Sequence, residues 1–393
     1  MSEEAVVIVD GARTPMGAML GALSSVPAPE LAAVAARATL EKAGVDAGDV
    51  DEVFMGCVLP AGLRQCPARQ TAISAGVPVG AGAVTVNKAC GSGMQAAIFG
   101  YDSIRAGTNR VVLAGGMENM SAAPHLLLGA RAGYRLGSVT TYDHMMMDGL
   151  EDAYSGGSMG SFAQETADAE GVTREEMDAY AIESLRRAKD AIEGGHLAGE
   201  IAPVKVVSRR GDSIVSDDEQ PHKANIDKIP SLRPAFRKDG TITAANSSSI
   251  SDGGSALLLM GESEARRRGL QPMARMLGHT RSSREPGEFT LAPIGAIDRI
   301  LQQTGWDRSD VDLFEINEAF AMVTLLTMRA HELDHSKVNV HGGACAQGHP
   351  IGSTGSRIMV TLMYALREQG KRRGIASLCI GGGEALAVAL ELC

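Results

Sequence analysis

Short runs of aliphatic residues, each ended by glycine, alternate along this chain with longer stretches whose apolar positions recur every three or four residues. Val6 to Val9 before Asp10-Gly11, Val111 to Ala114 before Gly115-Gly116, and Leu378 to Ile380 before Gly381-Gly382-Gly383 read as strands that end in strand-to-helix turns. Leu313 to Ile316 and Ala256 to Met260 are two more strand-like runs. Helical spacing covers Met94 to Arg105, Arg174 to Ile192 and Ile358 to Arg367. Strands and helices in alternation predict an α/β fold.

A repeat sharpens that reading. Residues 44–51, Gly-Val-Asp-Ala-Gly-Asp-Val-Asp, return at 305–312 as Gly-Trp-Asp-Arg-Ser-Asp-Val-Asp. The same elements follow in each copy: a Gly-Ser turn (91–93 against 352–355), a helix, a basic loop, an apolar strand and a glycine pair, Gly115-Gly116 against Gly381-Gly382. The chain therefore reads as two similar α/β halves. The stretch from about Ser121 to Ser249 has no counterpart in the second half and reads as an insertion of loops around one helix. The expected division is 1–120 with 250–271 as the first half, 121–249 as the inserted domain, and 272–393 as the second half.

Composition narrows the class. A chain of 393 residues with 44% hydrophobic content can bury a large core. Thirty-seven basic and 47 acidic side chains leave a net charge of −10, which argues against nucleic acid as a partner. No apolar run approaches the length of a membrane helix, and the first strand starts too near Met1 for a targeting peptide, so a cytoplasmic location is expected. Lys205, Arg209, Arg210, His222, Lys223, Arg233, Arg237 and Lys238 form one local basic cluster, either a solvated loop or a site for a phosphorylated ligand. The six cysteines form no C-x-x-C pair and have no histidine at ligand spacing, which disfavours zinc and a disulfide framework.

Three residues carry candidate chemistry. Cys90, in Asn87-Lys88-Ala89-Cys90-Gly91-Ser92-Gly93, precedes a helix that starts near Ser92, where free N–H groups and the helix dipole favour thiolate. Alone it would read as a small core cysteine; the flanking glycines, which let a substrate approach, change the balance. His349 lies in a glycine-punctuated turn of the second copy, at the place the duplication sets opposite Cys90, and imidazole is the usual acceptor of a thiol proton near neutral pH. Cys379 ends a strand, and the amides of Gly381 to Gly383 after it can face a developing oxyanion. Asn317 follows the strand Leu313 to Ile316, where its amide can hold a water, and Glu318 reads as an acid at a helix start.

Four segments, NKACGSGMQA around Cys90, NEAF from Asn317, GHPIGSTG from Gly348 and CIGGG from Cys379, occur in this order over the whole chain and resemble the thiolase family, specifically its acetyl-CoA acetyltransferases. The resemblance implies a thiolase fold: duplicated α/β halves in a five-layer αβαβα sandwich with an inserted loop domain. It implies that His349 deprotonates Cys90, that Cys90 carries the acyl group, and that Cys379 handles the α-proton of a second acetyl-CoA. One oxyanion hole is implied at the amides of Cys90 and Gly381, the other at His349 with a water on Asn317. Coenzyme A is implied to bind on the inserted domain at Ser248, with Leu150, Met159, Phe236, Ala244, Ala319 and Phe320 lining the pantetheine and acyl pocket. The basic cluster would then meet the adenosine phosphates. The resemblance further implies acyl-CoA thioesters as substrates, no cofactor, no metal, and a homo-oligomer, tetramer or dimer.

Ser158 stands where many short-chain members carry His, His341 where Asn is usual, and Ala385 where Gly is common. These departures bear on acyl-chain length. A 3-ketoacyl-CoA thiolase of broader range is one alternative. A non-catalytic acyl-CoA-binding protein is another, and the retained Cys90 and His349 speak against it. A carrier-protein-dependent ketosynthase is a third, although such enzymes lack the second cysteine.

Overall fold

The computed structural model describes residues 4–209 and 211–393, so Arg210 of the basic cluster lies outside the described residues. The first half comprises β1 (Val6–Arg13), α1 (Ala28–Ala43), β2 (Glu52–Gly56), α2 (Pro67–Ser74), β3 (Gly82–Val86), α3 (Ser92–Arg105) and β4 (Val111–Asn119). Next come α4 (Met159–Ala169) and α5 (Arg174–Glu193), and the chain then returns as β5 (Ser251–Gly261) between β1 and β4. The second half repeats the pattern with β6 (Ala274–Ser283), α6 (Ala292–Thr304), β7 (Leu313–Ile316), α7 (Ala321–His331), α8 (Ile351–Glu368), β8 (Arg373–Ile380) and β9 (Glu384–Leu392). No helix among the described residues is long and apolar enough to cross a membrane.

Strand order is β1-β5-β4-β2-β3 in the first half and β6-β9-β8-β7 in the second, and Val338 bridges β7 where β3 pairs β2 in the first. Val6 to Ile8 of β1 pair with Ala274 to Met276 of β6, joining the half-sheets at one edge. Both faces of these strands are covered, which is why the apolar runs are unbroken. Val6, Ile8, Leu257 and Leu259 turn toward a central core with Met94 of α3 and Met359 of α8. Val7, Val9, Leu258 and Met260 turn outward onto α1 and α2. Ile375, Ala387 and Ala389 turn outward on the other side, onto Ile297 and Ile300 of α6. The layers therefore run helix, sheet, helix, sheet, helix, with α3 and α8 in the middle.

The 44–51 and 305–312 repeat has a physical meaning in this frame. Gly44 and Gly305 end α1 and α6 at φ of 65° and 69°, a left-handed conformation that a side chain would strain. Asp46 and Asp307 start the following short 3₁₀ turns. Asp51 accepts the N–H groups of Arg110 and Val111, and Asp312 those of Arg372 and Arg373, so each holds the start of the next parallel strand.

Three readings of glycine need correction. β1 runs through Asp10-Gly11 to Arg13, and β4 runs through Gly115-Gly116 to Asn119, so neither pair is a turn and Gly115-Gly116 does not match Gly381-Gly382. A Cβ on Gly116 would collide with the carbonyl oxygen of Gly352; close approach, not turning, requires this glycine. The supposed Gly-Ser turn at 352–355 is the first turn of α8, which starts at Ile351, ahead of the expected Ile358. α8 is buried on every side from Ile351 to Leu366, but residues 352–357 are only Gly, Ser, Thr and Arg, so the apolar spacing shows from Ile358 on.

The inserted segment is fastened by buried charge. Arg13, 1% exposed, donates to Glu200 at 2.5 Å and to both oxygens of Asp218 at 2.7 and 3.0 Å. Burial works against its charge, yet the two carboxylates hold Arg13 above its ordinary range. Removing one member strands the others in a dry interior. Arg13→Ala is expected to cost about 3–5 kcal/mol in denaturant unfolding. Arg37→Ala, which breaks an exposed pair with Glu30, should cost less than about 1 kcal/mol.

Candidate active site

Cys90 and His349 occupy equivalent places: each stands two residues ahead of a central-layer helix, Cys90 before Ser92 of α3 and His349 before Ile351 of α8. The chain enters α3 through a tight turn in which Ala89 adopts φ of 43°, sparsely populated for a residue with a Cβ. The Ser92 hydroxyl holds the turn, accepting the Lys88 N–H at 2.8 Å and donating to the Ala89 carbonyl at 2.6 Å. Lys88 also forms an ion pair with Glu384, drawing the Cys90 turn onto the Gly381–Gly383 turn between β8 and β9. A Cβ on Gly91 would strike Ile380.

The backbone N–H groups of Gly381 and of Cys90 itself both point at the Cys90 sulfur. The sequence suggested a thiol acidified by the helix start. The structure corrects this: burial dominates the two amides, and Cys90 is pushed up to about 11. Burial likewise drives His349 down to about 3, with Arg357 adding repulsion. At rest the pair is a neutral thiol and a neutral imidazole.

The tautomer of His349 follows from its neighbours. Thr354 Oγ1 lies 2.6 Å from His349 Nδ1 and 3.0 Å from the Pro350 carbonyl. A hydroxyl has one proton, and the carbonyl can only accept it, so the Nδ1–H of His349 donates to Thr354. Nε2 is left with a lone pair and no hydrogen bond within the described protein. It is therefore a base. The His349 N–H is anchored on the Ser249 carbonyl at 3.1 Å and on Ser251 Oγ at 3.2 Å.

Cys379 is wholly buried at the penultimate position of β8, paired with Ala385 of β9. It feels the charge of Cys90 when that is a thiolate, and burial, the larger effect, keeps Cys379 far above the ordinary thiol range. Asn317 follows β7 directly, is 1% exposed, and neither atom of its side-chain amide has a hydrogen-bond partner within the described protein. Glu318 was misread as a helix-start acid, since α7 begins only at Ala321. It is fully buried and accepts from Tyr180 and Ser184 at 2.8 Å, Asn339 at 2.9 Å and the Cys345 N–H at 3.0 Å. This carboxylate locks α5 of the insertion to the segment that leads to His349.

A cavity of about 480 Å³ reaches His349 and Ile351 from the surface. Ser248, Leu150, Met159, Phe236, Ala244 and Phe320 line it, and Ala319 instead sits behind the wall in the apolar cluster that holds Cys379. Met19, Met120, Met146 and Ile250 also line it and were missed, because an isolated Met or Ile carries no motif. Met146 and Leu150 belong to one wide helical turn of π type. Among the described residues no Lys or Arg lines this cavity. An adjoining one of about 290 Å³ shares Gln220, Ala244 and Ser249 with it and is lined by Lys223 and Lys228. Lys205, Lys223 and Arg237 of the basic cluster pair with Asp212, Glu219 and Asp168, so part of the cluster's charge is compensated.

A thiol and an imidazole set at matching helix starts, with two amides aimed at the sulfur and a second thiol behind, define a cysteine-nucleophile acyltransferase. The thiolase N-terminal domain model matches residues 6–263 and the thiolase C-terminal domain model residues 270–392. The acetyl-CoA acetyltransferase of Pseudomonas aeruginosa is 46% identical over 98% of this chain and 98% of its own, and that of Cupriavidus necator is 45% identical over 98% and 99%. Among solved structures, the acetyl-CoA acetyltransferase of Bacillus anthracis superposes with a TM-score of 0.97 at 38% identity, covering 100% of this chain and 99% of that one. The Acat5 thiolase of Ascaris suum in complex with coenzyme A superposes with a TM-score of 0.94 at 38% identity, covering 99% and 100%. The chain belongs to the thiolase family.

The depressed His349 predicts a pH signature. An imidazole whose folded pKa lies below its unfolded value supports stability above pH 6.5, and that support is lost as pH falls toward about 3. From pH 7 to 5 the wild type should lose about 2 kcal/mol more unfolding free energy than His349→Gln. Parallel losses in denaturant titrations would refute the buried neutral imidazole.

Proposed function

We propose that this protein is an acetyl-CoA C-acetyltransferase, which condenses two acetyl-CoA into acetoacetyl-CoA and coenzyme A and runs the reverse thiolysis at the same site. The observation that carries it is Cys90 and His349 at matching helix starts, with Cys379 near enough to feel the Cys90 charge and His349 lining an apolar cavity. In the first half-reaction His349 Nε2 takes the Cys90 proton as sulfur attacks the thioester carbonyl. Neither group need be charged beforehand, which suits a thiol near 11 beside an imidazole near 3. The amides of Cys90 and Gly381, already facing the sulfur, receive the tetrahedral oxyanion. Collapse breaks the carbon–sulfur bond to coenzyme A, which leaves as the thiol.

One proton then remains between His349 and Cys379. The reactive form is imidazolium with Cys379 thiolate, and that thiolate takes the α-proton of the second acetyl-CoA. Its carbonyl oxygen, becoming an enolate, is held by His349 and, through a water, by Asn317. The enolate carbon attacks acetyl-Cys90, and the departing Cys90 sulfur recovers its proton from His349. Protons and bonds close over the cycle.

In this reading coenzyme A runs with its pantetheine along Ser248, Met159 and Phe236, which line the cavity, and its phosphates toward Lys223 and Lys228, which line the adjoining one. Residues 121–249 act in this reading as the coenzyme-binding insertion between the halves 1–120 with 250–271 and 272–393. A cytoplasmic homotetramer and a place in fatty-acid metabolism belong to the same proposal, on the strength of the family resemblance. A wider 3-ketoacyl-CoA range is the second reading, favoured by Ser158. This small residue lines the cavity and spends its hydroxyl capping α4 through the Ser161 N–H.

Thiolysis of acetoacetyl-CoA and of longer 3-ketoacyl-CoA separates the two readings. Cys90→Ala should lose at least about 1,000-fold and trap no radiolabel from acetyl-CoA. Cys379→Ala should still acylate Cys90 but fail at the carbon–carbon step; equal loss of label in both variants would contradict these roles. Thr354→Val, which frees the His349 tautomer, should lower kcat about tenfold or more, with Thr354→Ser near wild type.

A further inference from the structure

β4 carries a buried carboxylate that the catalytic scheme above does not use. Glu118 is 0% exposed. Its Oε2 accepts the N–H groups of Val58 at 2.9 Å and Gly352 at 3.0 Å, and its Oε1 accepts that of Leu59 at 3.1 Å. The Cys57 thiol donates to Oε1 from 3.8 Å. One side chain thus gathers the segment after β2, the strand β4 and the second residue of α8.

Gly352 is the important partner. The first N–H groups of a helix have no acceptor within it, and a Ser, Thr, Asp or Asn at the N-cap normally supplies one. The N-cap of α8 is Pro350, whose side chain can accept nothing. The acceptor comes instead from the other half of the molecule, as a carboxyl oxygen at the positive end of the helix. Gly116, two residues before Glu118, packs so closely on the Gly352 carbonyl that a Cβ there would collide, so β4 and the start of α8 touch directly.

We propose that Glu118 is a positioning residue for acyl transfer: it fastens the start of α8, and with it His349, to the half of the molecule that carries Cys90. The inference rests on the Cys90–His349 acyl-transfer reading. An aliphatic residue would fill the same core volume but leave three N–H groups unmet. Burial raises the Glu118 carboxyl to about 7, and its charge works against thiolate on Cys90. A carboxylate kept there despite this opposition fits a site where geometry, not a preformed thiolate, sets the rate.

The test is a double-mutant cycle read by alkylation of Cys90 with iodoacetamide at neutral pH, a reaction that needs no acyl substrate. Glu118→Gln keeps the shape but turns an amide NH₂ toward one of the N–H donors. It should slow alkylation about 10- to 100-fold in the wild-type background and less than about twofold in His349→Ala, because Glu118 acts through His349. In thiolysis it should lower kcat by a similar factor with KM within about twofold. Glu118→Asp, one methylene short of Gly352, should behave alike and serves if the Gln variant does not fold. Equal slowing in both backgrounds, or a rise in KM with kcat unchanged, would overturn the proposal. A wild type inert toward acetoacetyl-CoA would instead overturn the thiolase activity, and the alkylation cycle would still decide on Glu118.

Discussion

The close meeting of α3 and α8 in the central layer is the constraint from which the rest follows. Their starts approach until side chains no longer fit: a Cβ on Gly93 would lie 2.9 Å from the Ser356 nitrogen, and one on Gly355 would collide with the Met94 nitrogen. Two helices that meet at their first turns set the residues just ahead of them at one end of the central layer. Those residues are Cys90 and His349. The five-layer architecture thus serves to bury two helix starts against each other, and the site forms in the crevice at that end.

Burial of this degree sets the electrostatics. A thiol pushed up and an imidazole pushed down favour a proton that moves with bond formation over a standing ion pair. On the proposed mechanism, anions formed during reaction are met by groups already in place: the amides at the Cys90 sulfur, the free Nε2 of His349 and the amide of Asn317. Thr354 fixes the imidazole, Ser251 holds the His349 backbone, and Glu318 and Arg13 fix the inserted segment that walls the cavity. Buried polar groups that look costly singly form a scaffold of orientation, each satisfied by groups from a different element.

Much of this was legible in the sequence. Strands buried on both faces write unbroken apolar runs, and the Gly-x-Asp-x-x-Asp-x-Asp repeat spells out a helix end, a 3₁₀ turn and a strand start twice. The four motifs around Cys90, Asn317, His349 and Cys379 are local, so they survive being read one at a time. Six of the seven coenzyme-site residues carried over from the resemblance do line one cavity; Ala319 lies just behind it.

What the chain alone determined was therefore periodicity, duplication and the motifs that single out candidate reactive residues, because these depend on neighbours in sequence. Only the tertiary structure decided the rest. Gly115, Gly116 and Gly352 read as turns in one dimension and are close contacts in three. Glu118 and Glu318 are ordinary acids in the sequence, and their meaning lies in donors 21 to 234 residues away. The protonation of Cys90 also inverted, since helix-start stabilisation is a local effect and the burial that outweighs it is assembled from both halves.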